Sequence, residues 1–272
     1  MEDKKGKVFL HIVLITGVIF TLIPFIWMFP TSVKTLGESI QVPPVIFPSE
    51  FKWSNYKDVM ATMPFMKFYY NTIVYTVIRT IGQIVFCSMA AYAFARIEFP
   101  FRNTIFLLLL AVLMVPGQIF LLPQYMIIQK LGLLNTLSGL IIPGLFSSFG
   151  TFLMRQFFMT LPKELEEAAI IDGCNHFQIY YKIMLPLVKP GIVALIIITA
   201  LASWNQLMWP LIVNTSTDKI TLSAGLAALS GQHGTDYPLA MAGAILGVLP
   251  MLIMFIIFQK KFIEGMASTG IK

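Results

Sequence analysis

The side chains best able to do chemistry in this chain are carboxylates, and several gather in one short stretch, as Glu164, Glu166, Glu167 and Asp172. Such a cluster could bind a metal or work as a general acid and base. It has no metal-ligand partners at suitable spacing, however, and no nucleophile set beside a base. Neither a catalytic residue nor a metal site is expected. What the spacing supports is a docking surface. Leu165, Ala168, Ala169 and Asp172 recur at i, i+3, i+4 and i+7, which gives a helix one narrow face of mostly small side chains. A face of that kind fits a tight slot.

Local signals frame this helix. Pro162 suits the first helical position, where its missing N–H costs nothing, and Glu164 complements the positive end of the helix dipole. Gly173 suits the C-terminal cap, because it enters the left-handed conformation without penalty. Asn175 and Gln178, three residues apart, form the pattern of a capping box for a second helix. That helix carries Phe177, Tyr180, Tyr181 and Met184 before Leu185-Pro186 turns the chain. Residues 160–188 are thus expected to be a helix, a glycine turn and a second helix.

Other residues could meet a small molecule. Arg79 and Gln83 lie one turn apart on the same face of an apolar run. An arginine at such a depth either faces the interior of a bundle or is held structurally by carbonyls. Trp204, Asn205 and Gln206 offer an aromatic face and amides suited to hydroxylated rings, although a tryptophan there also serves as an interfacial anchor. Cys87 and Cys174 fall in different surroundings, so no disulfide is expected. His11, His176 and His233 are far apart. No Gly-x-x-x-x-Gly-Lys-Ser/Thr loop occurs, so the chain has no phosphate cradle of that kind.

Membrane helices must position these residues. Of 272 residues, 57% are apolar and only 12% charged, against about 25% charged in soluble domains. Six apolar runs are read as spans: Val8 to about Phe29, Tyr69 to Ala95, Asn103 to about Gly117 or somewhat beyond, about Ser138 to Phe158, Gly191 to about Val213, and Leu239 to about Phe258. The first follows Lys4, Lys5 and Lys7 but is too long for a secretory signal and lacks a small-residue cleavage site. Residues 31–68, 124–137 and 214–238 read as external segments. Pro116, Gly117 and Pro123 should bend the third span, and Pro143 with Gly144 the fourth.

Charge orients the bundle. Twelve of the nineteen lysines and arginines fall on the side of the termini and the carboxylate stretch, six fall on the other, and Arg79 lies in a span. Both termini are therefore expected in the cytoplasm. The net charge of +6 has this origin, and no basic patch interleaved with aromatics points to nucleic acid. The expected fold is an all-α membrane protein, a single domain over 1–272 with a cytoplasmic tail over 259–272.

The carboxylate stretch could lie in the bilayer surface or dock on a protein. A surface helix should be rich in Lys and Arg to meet anionic headgroups, whereas Lys163 is followed by three glutamates, which favours docking. At these residues the sequence resembles a known family. Glu167-Ala168-Ala169, three residues, Gly173, nine residues and Ile183-x-Leu185-Pro186 are similar to the EAA signature of the membrane subunits of ABC importers, with the spacing met in full. The resemblance runs over nearly the whole chain, to carbohydrate-uptake permeases of the MalG type. It includes Ala90 to Arg96, Pro116 to Tyr125, Leu161 to Gly173, Trp204-Asn205, Trp209-Pro210-Leu211 and the tail from Glu264 to Lys272. Cys174 stands where a small Ala is common, and Gln206 where an acidic residue often follows the Trp-Asn pair.

The resemblance implies the type I ABC importer permease fold, with residues 160–188 as the coupling element that docks in a cleft of the ATP-hydrolysing subunit. The docking residues would be Glu164, Glu166, Glu167, Ala168, Ala169, Asp172, Gly173, Leu185 and Pro186. It further implies a second, MalF-like permease subunit, two ATPase subunits that bind the ATP and Mg, an extracytoplasmic sugar-binding protein, and a bacterial or archaeal cell membrane. No cofactor is expected on this chain. The implied cargo is a sugar or oligosaccharide, with a glycerol phosphate or polyol as the alternative, and Arg79, Trp204, Asn205 and Gln206 are candidates to line its path. A self-contained carrier would call for several intramembrane charges or repeat-related broken helices, and a membrane enzyme for a cluster of reactive groups near a membrane face.

Overall fold

A computed structural model of the protein describes residues 4–231 and 234–269. Helices follow one another along the chain as α1 (Lys4–Ser32), α2 (Leu36–Ser39), α3 (Ser54–Thr62), α4 (Phe65–Arg96), α5 (Arg102–Ala111), α6 (Leu121–Lys130), α7 (Leu137–Ile141) and α8 (Ser148–Met159). Then come α9 (Glu164–Ile171), α10 (His176–Gln178), α11 (Leu185–Leu187), α12 (Lys189–Trp204), α13 (Met208–Val213), α14 (Leu222–Ala227) and α15 (Tyr237–Thr269). The strand content among the described residues is a two-residue antiparallel ladder, Ser230–Gly231 with Gly234–Thr235.

Three helical segments are long and apolar enough to span alone: Gly6–Ser32, Phe65–Arg96 and Tyr237–Gln259. Three more candidate spans are bent pairs, Arg102–Met114 with Gly117–Lys130 at 100°, Leu137–Gly144 with Ser148–Met159 at 43°, and His176–Leu187 with Lys189–Trp204 at 79°. The bends lie where the backbone is interrupted. Pro116 lacks an N–H and breaks the third run, but the chain does not then become the turn expected over 124–137. It stays helical to Lys130, because Pro123 falls in the first turn of α6, where a proline leaves no interior hydrogen bond unmade. The fifth run is also shorter than expected. Helix α12 ends at Trp204, with Asn205 at its C-cap, and α13 resumes at Met208. In the fourth, the Ser147 Oγ accepts the Gly150 N–H at 3.2 Å and restarts the helix after the Pro143-Gly144 break.

Contacts divide the chain into two compact units, Met1–Met66 with Gly225–Leu249 and Lys67–Ala224 with Pro250–Lys272. In the first, the buried Asn55 amide donates at 2.9 Å to the carbonyls of both Ser32 and Lys34, which pins the end of α1 to α3. Thr35 and Glu38 form a capping box on α2. In the second, one core gathers Cys87, Tyr92, Met154, Phe158, Ile179, Tyr180 and Leu195. Another gathers Tyr75, Ile128, Leu140, Trp209 and Val213. Both cores belong to the helices that carry the candidate site residues.

Candidate functional site

The carboxylate stretch folds as a helix, a turn and a second helical segment. Glu164, Glu166 and Glu167 occupy the first turn of α9, with Lys163 at the N-cap position and making no side-chain capping bond, so Pro162 falls one residue before the cap and not at the first helical position. Gly173 has φ of +80°, and a Cβ there would meet nothing within 4 Å. The glycine therefore answers a backbone demand, not a packing one. Its N–H donates to the Ile170 carbonyl at 3.0 Å and the Cys174 N–H to Ala169 at 2.9 Å, which closes the helix end. Asn175 and Gln178 exchange backbone-to-side-chain bonds of 2.9 Å each, the capping box that the spacing predicts. Beyond α10 the chain runs through a π-helical turn, Ile179–Met184, into α11, where Pro186 sits in the first turn.

One side of this hook is built into the bundle. Ala169, Ile179, Tyr180 and Met184 are buried in the core with Tyr92 and Phe158. The Tyr180 hydroxyl lies 2.7 Å from Ser88 Oγ of α4, and its ring stands 5.5 Å from that of Tyr92. Arg96, at the end of α4, places Nη1 3.5 Å from Glu166 Oε2, while its Nη2 donates to the Phe158 and Leu161 carbonyls at 2.5 Å each. One guanidinium thus ties together α4, the end of α8 and α9.

The other side is open. Ile171 is 84% exposed, Phe177 60% and Ile170 55%, among the exposed Glu164, Glu167, Ala168, Asp172, Gly173 and Pro186, with Leu185 half-buried. The small-residue face is therefore divided: Ala169 packs inward, Ala168 looks out, and large apolar side chains join the carboxylates on the outer surface. The helical spacing singles out neither Arg96 nor this apolar tip. The signal for the tip is the pair Ile170-Ile171 in an otherwise acidic helix.

A second site lies within the helices. Arg79 Nη1 donates to the Tyr75 hydroxyl at 2.9 Å and to Ser203 Oγ at 3.3 Å, and Nε to the Gly144 carbonyl at 3.4 Å. Gln83 Nε2 reaches the same carbonyl at 2.9 Å, and its Oε1 accepts from Thr199 at 2.9 Å. Arg79, Gln118, Gln124 and Gln206 line a cavity of about 370 Å³. Gln206 and Arg79 are thus brought together. Trp204 and Asn205 are not: Trp204 is buried with its ring edge-on to Tyr69 at 5.6 Å, and Asn205 serves as a C-cap. Among the described residues no three His, Cys, Asp or Glu side chains converge as a metal site would require.

Residues 65–262 match the binding-protein-dependent transport system inner membrane component family. The chain belongs to this family. Two curated relatives are transport system permease proteins. The arabinooligosaccharides transport system permease protein AraQ of Halalkalibacterium halodurans is 41% identical over 202 residues, 74% of this chain and 72% of its own length. The sn-glycerol-3-phosphate transport system permease protein UgpE of Pectobacterium atrosepticum is 33% identical over 278 residues, 99% of each chain. A chain of a bacterial ABC transporter involved in the import of the acidic polysaccharide alginate shares the fold, with a TM-score of 0.82 at 24% identity over 96% of this chain and 99% of that one. This inner membrane component is accordingly a multi-pass, all-α permease subunit of a binding-protein-dependent transport system.

Proposed function

We propose that the permease moves a sugar or oligosaccharide into the cytoplasm, driven by ATPase subunits that dock on Glu164 to Pro186. The observation that carries this reading is the two-sidedness of the hook: its inner face is packed on α4 and α8 through Arg96, Tyr180 and Ala169, and its outer face exposes Ile170, Ile171 and Phe177 among carboxylates. Apolar anchors rimmed by charge suit a protein interface. A push on Ile171 and Phe177 would move α4 and α8 with the hook, because the packed contacts leave it no independent freedom. Coupling follows if the motor binds the hook differently in two states of the bundle.

In this reading the whole chain acts as one permease domain, with both termini cytoplasmic. It pairs with a second permease subunit and receives cargo from an extracytoplasmic binding protein. Two ATPase subunits hold ATP and Mg, and this chain performs no catalysis. The match to AraQ supports an oligosaccharide cargo, and the full-length match to UgpE makes a glycerol phosphate the second reading. Arg79 and Gln206 line a section of the path in either case.

The test is uptake by proteoliposomes that contain the permease pair, the ATPase subunits and the binding protein, offered labelled arabino-oligosaccharide or glycerol 3-phosphate. Uptake should need ATP and stop when the ATPase subunits are left out. Uptake that persists without nucleotide would overturn the proposal.

A further inference from the structure

We infer that the cavity beside Arg79 receives an anionic group of the cargo, a carboxylate or a phosphate. The inference deepens the transport reading above and rests on it. A guanidinium keeps its charge in a protein, and one within a membrane bundle is costly without a counter-ion. The other arginines near the membrane ends have answers to that cost. Arg96 faces Glu166, and Arg155 stacks on the Phe106 ring with 4.2 Å to its centroid while its Nε donates to the Phe94 carbonyl.

Arg79 has neither a counter-ion, as Arg96 has, nor a ring as near as that of Arg155, since its guanidinium stands 5.7 Å from the centroid of the Tyr75 ring. Its partners, Tyr75, Ser203 and the Gly144 carbonyl, are neutral, and among the described residues it forms no ion pair. Its Nη2 donates to no described residue. The cavity that Arg79 lines has glutamine amides from Gln118, Gln124 and Gln206 in its wall and no carboxylate. A structural arginine would be expected to spend its donors on the protein; this one keeps a nitrogen and a full charge available at a polar cavity.

The surroundings hold the guanidinium in place. A Cβ at Gly144 would come within 2.3 Å of Arg79 Nε, so the bare backbone there is what lets the side chain approach. The carbonyl it meets is fixed in turn by Gln83, which Thr199 orients. An arriving carboxylate or phosphate can take paired N–H donors from a guanidinium and amides from the glutamines. A neutral sugar can use the amides but leaves the charge uncompensated.

The test is isothermal titration of the detergent-purified permease–ATPase complex, without binding protein, using glucuronate against glucose and glycerol 3-phosphate against glycerol. In the native complex at least one anion should bind about tenfold or more tightly than its neutral counterpart, as a charge-assisted hydrogen bond allows. Glucuronate and glycerol 3-phosphate distinguish the two anion chemistries. The preference should vanish in R79Q, and also in Q206E, which places a carboxylate in the same cavity while leaving Arg79 intact. Q206E keeps the test decisive if R79Q does not fold. Equal binding of anions and neutral ligands in the native complex, or an anion preference undiminished in both variants, would overturn the inference. A parallel titration with phosphatidylglycerol gives the lipid arm, and binding of that lipid alone would overturn the assignment to cargo. Failure of the transport reading would show separately, as the absence of ATP-driven uptake in proteoliposomes.

Discussion

Arg96 Nη1 lies 3.5 Å from Glu166 Oε2, with only 5% and 15% of the two side chains exposed, so the end of α4 is held to the start of α9 by a shielded ion pair. Removing one partner of such a pair strands the other charge, at a cost of about 3–5 kcal/mol. Arg96→Ala also releases the Phe158 and Leu161 carbonyls, and should lower stability by at least that order. Glu166→Gln should cost less, since the carbonyl bonds survive. Thermal unfolding in detergent of the two single variants and the double variant would measure the coupling. Additive losses would show that the two side chains do not interact.

Gly173 permits a cleaner comparison. Its φ of +80° is unfavourable to residues with a Cβ, yet nothing lies within 4 Å of the position a Cβ would take. Gly173→Ala should therefore cost about 1–2 kcal/mol from the backbone alone, Gly173→Asn less, and Gly173→Val more. Unfolding midpoints should fall in the order Asn, Ala, Val. Equal midpoints for all three would show that the turn does not hold this conformation.

Glu38 should respond to acid. The hydroxyl and N–H of Ser49 hold its carboxyl well below the usual range, at about 2, with further help from the Thr35 N–H. A depressed carboxylate pKa contributes stability above the ordinary value near 4.5 and loses it as pH falls through about 2. The Glu38–Ser49 connection should thus persist at pH 4 and open only near pH 2. A carbon-13 titration of the Glu38 carboxyl should find its midpoint near 2, and a midpoint near 4.5 would show that the bonds do not form.

The parts of the hook that were legible in the sequence are the local ones. Gly173 and the Asn175–Gln178 box act within four residues, so their types and spacing carry the whole signal. The burial of Ala169 depends instead on Tyr180, Tyr92 and Phe158, which arrive from three different elements. Helical spacing grouped Ala169 with Ala168, and only packing separates them. The breaks at Pro116 and Gly144 were readable from residue type. The helix that continues after the 100° bend was not, because a proline marks where a helix is interrupted and leaves the conformation of the next residues open. Arg79 was visible as a charge in an apolar run, while its neighbour across the cavity, Gln206, gave no sign that it would be the member of the Trp204-Asn205-Gln206 group to reach it.

The most direct trial of the hook as the point where energy enters is ATP-driven uptake by importers carrying Ile171→Asp. Ile171 is 84% exposed, so assembly of the permease and its thermal stability in detergent should be unchanged. Burying a carboxylate where an apolar anchor docks should cost at least about 2 kcal/mol of interface energy, on the order of thirtyfold. Uptake should fall by that order at fixed ATPase concentration and recover in part when the ATPase subunits are supplied in excess. Uptake equal to that of the native importer, with Ile171→Asp correctly inserted, would contradict docking at this face.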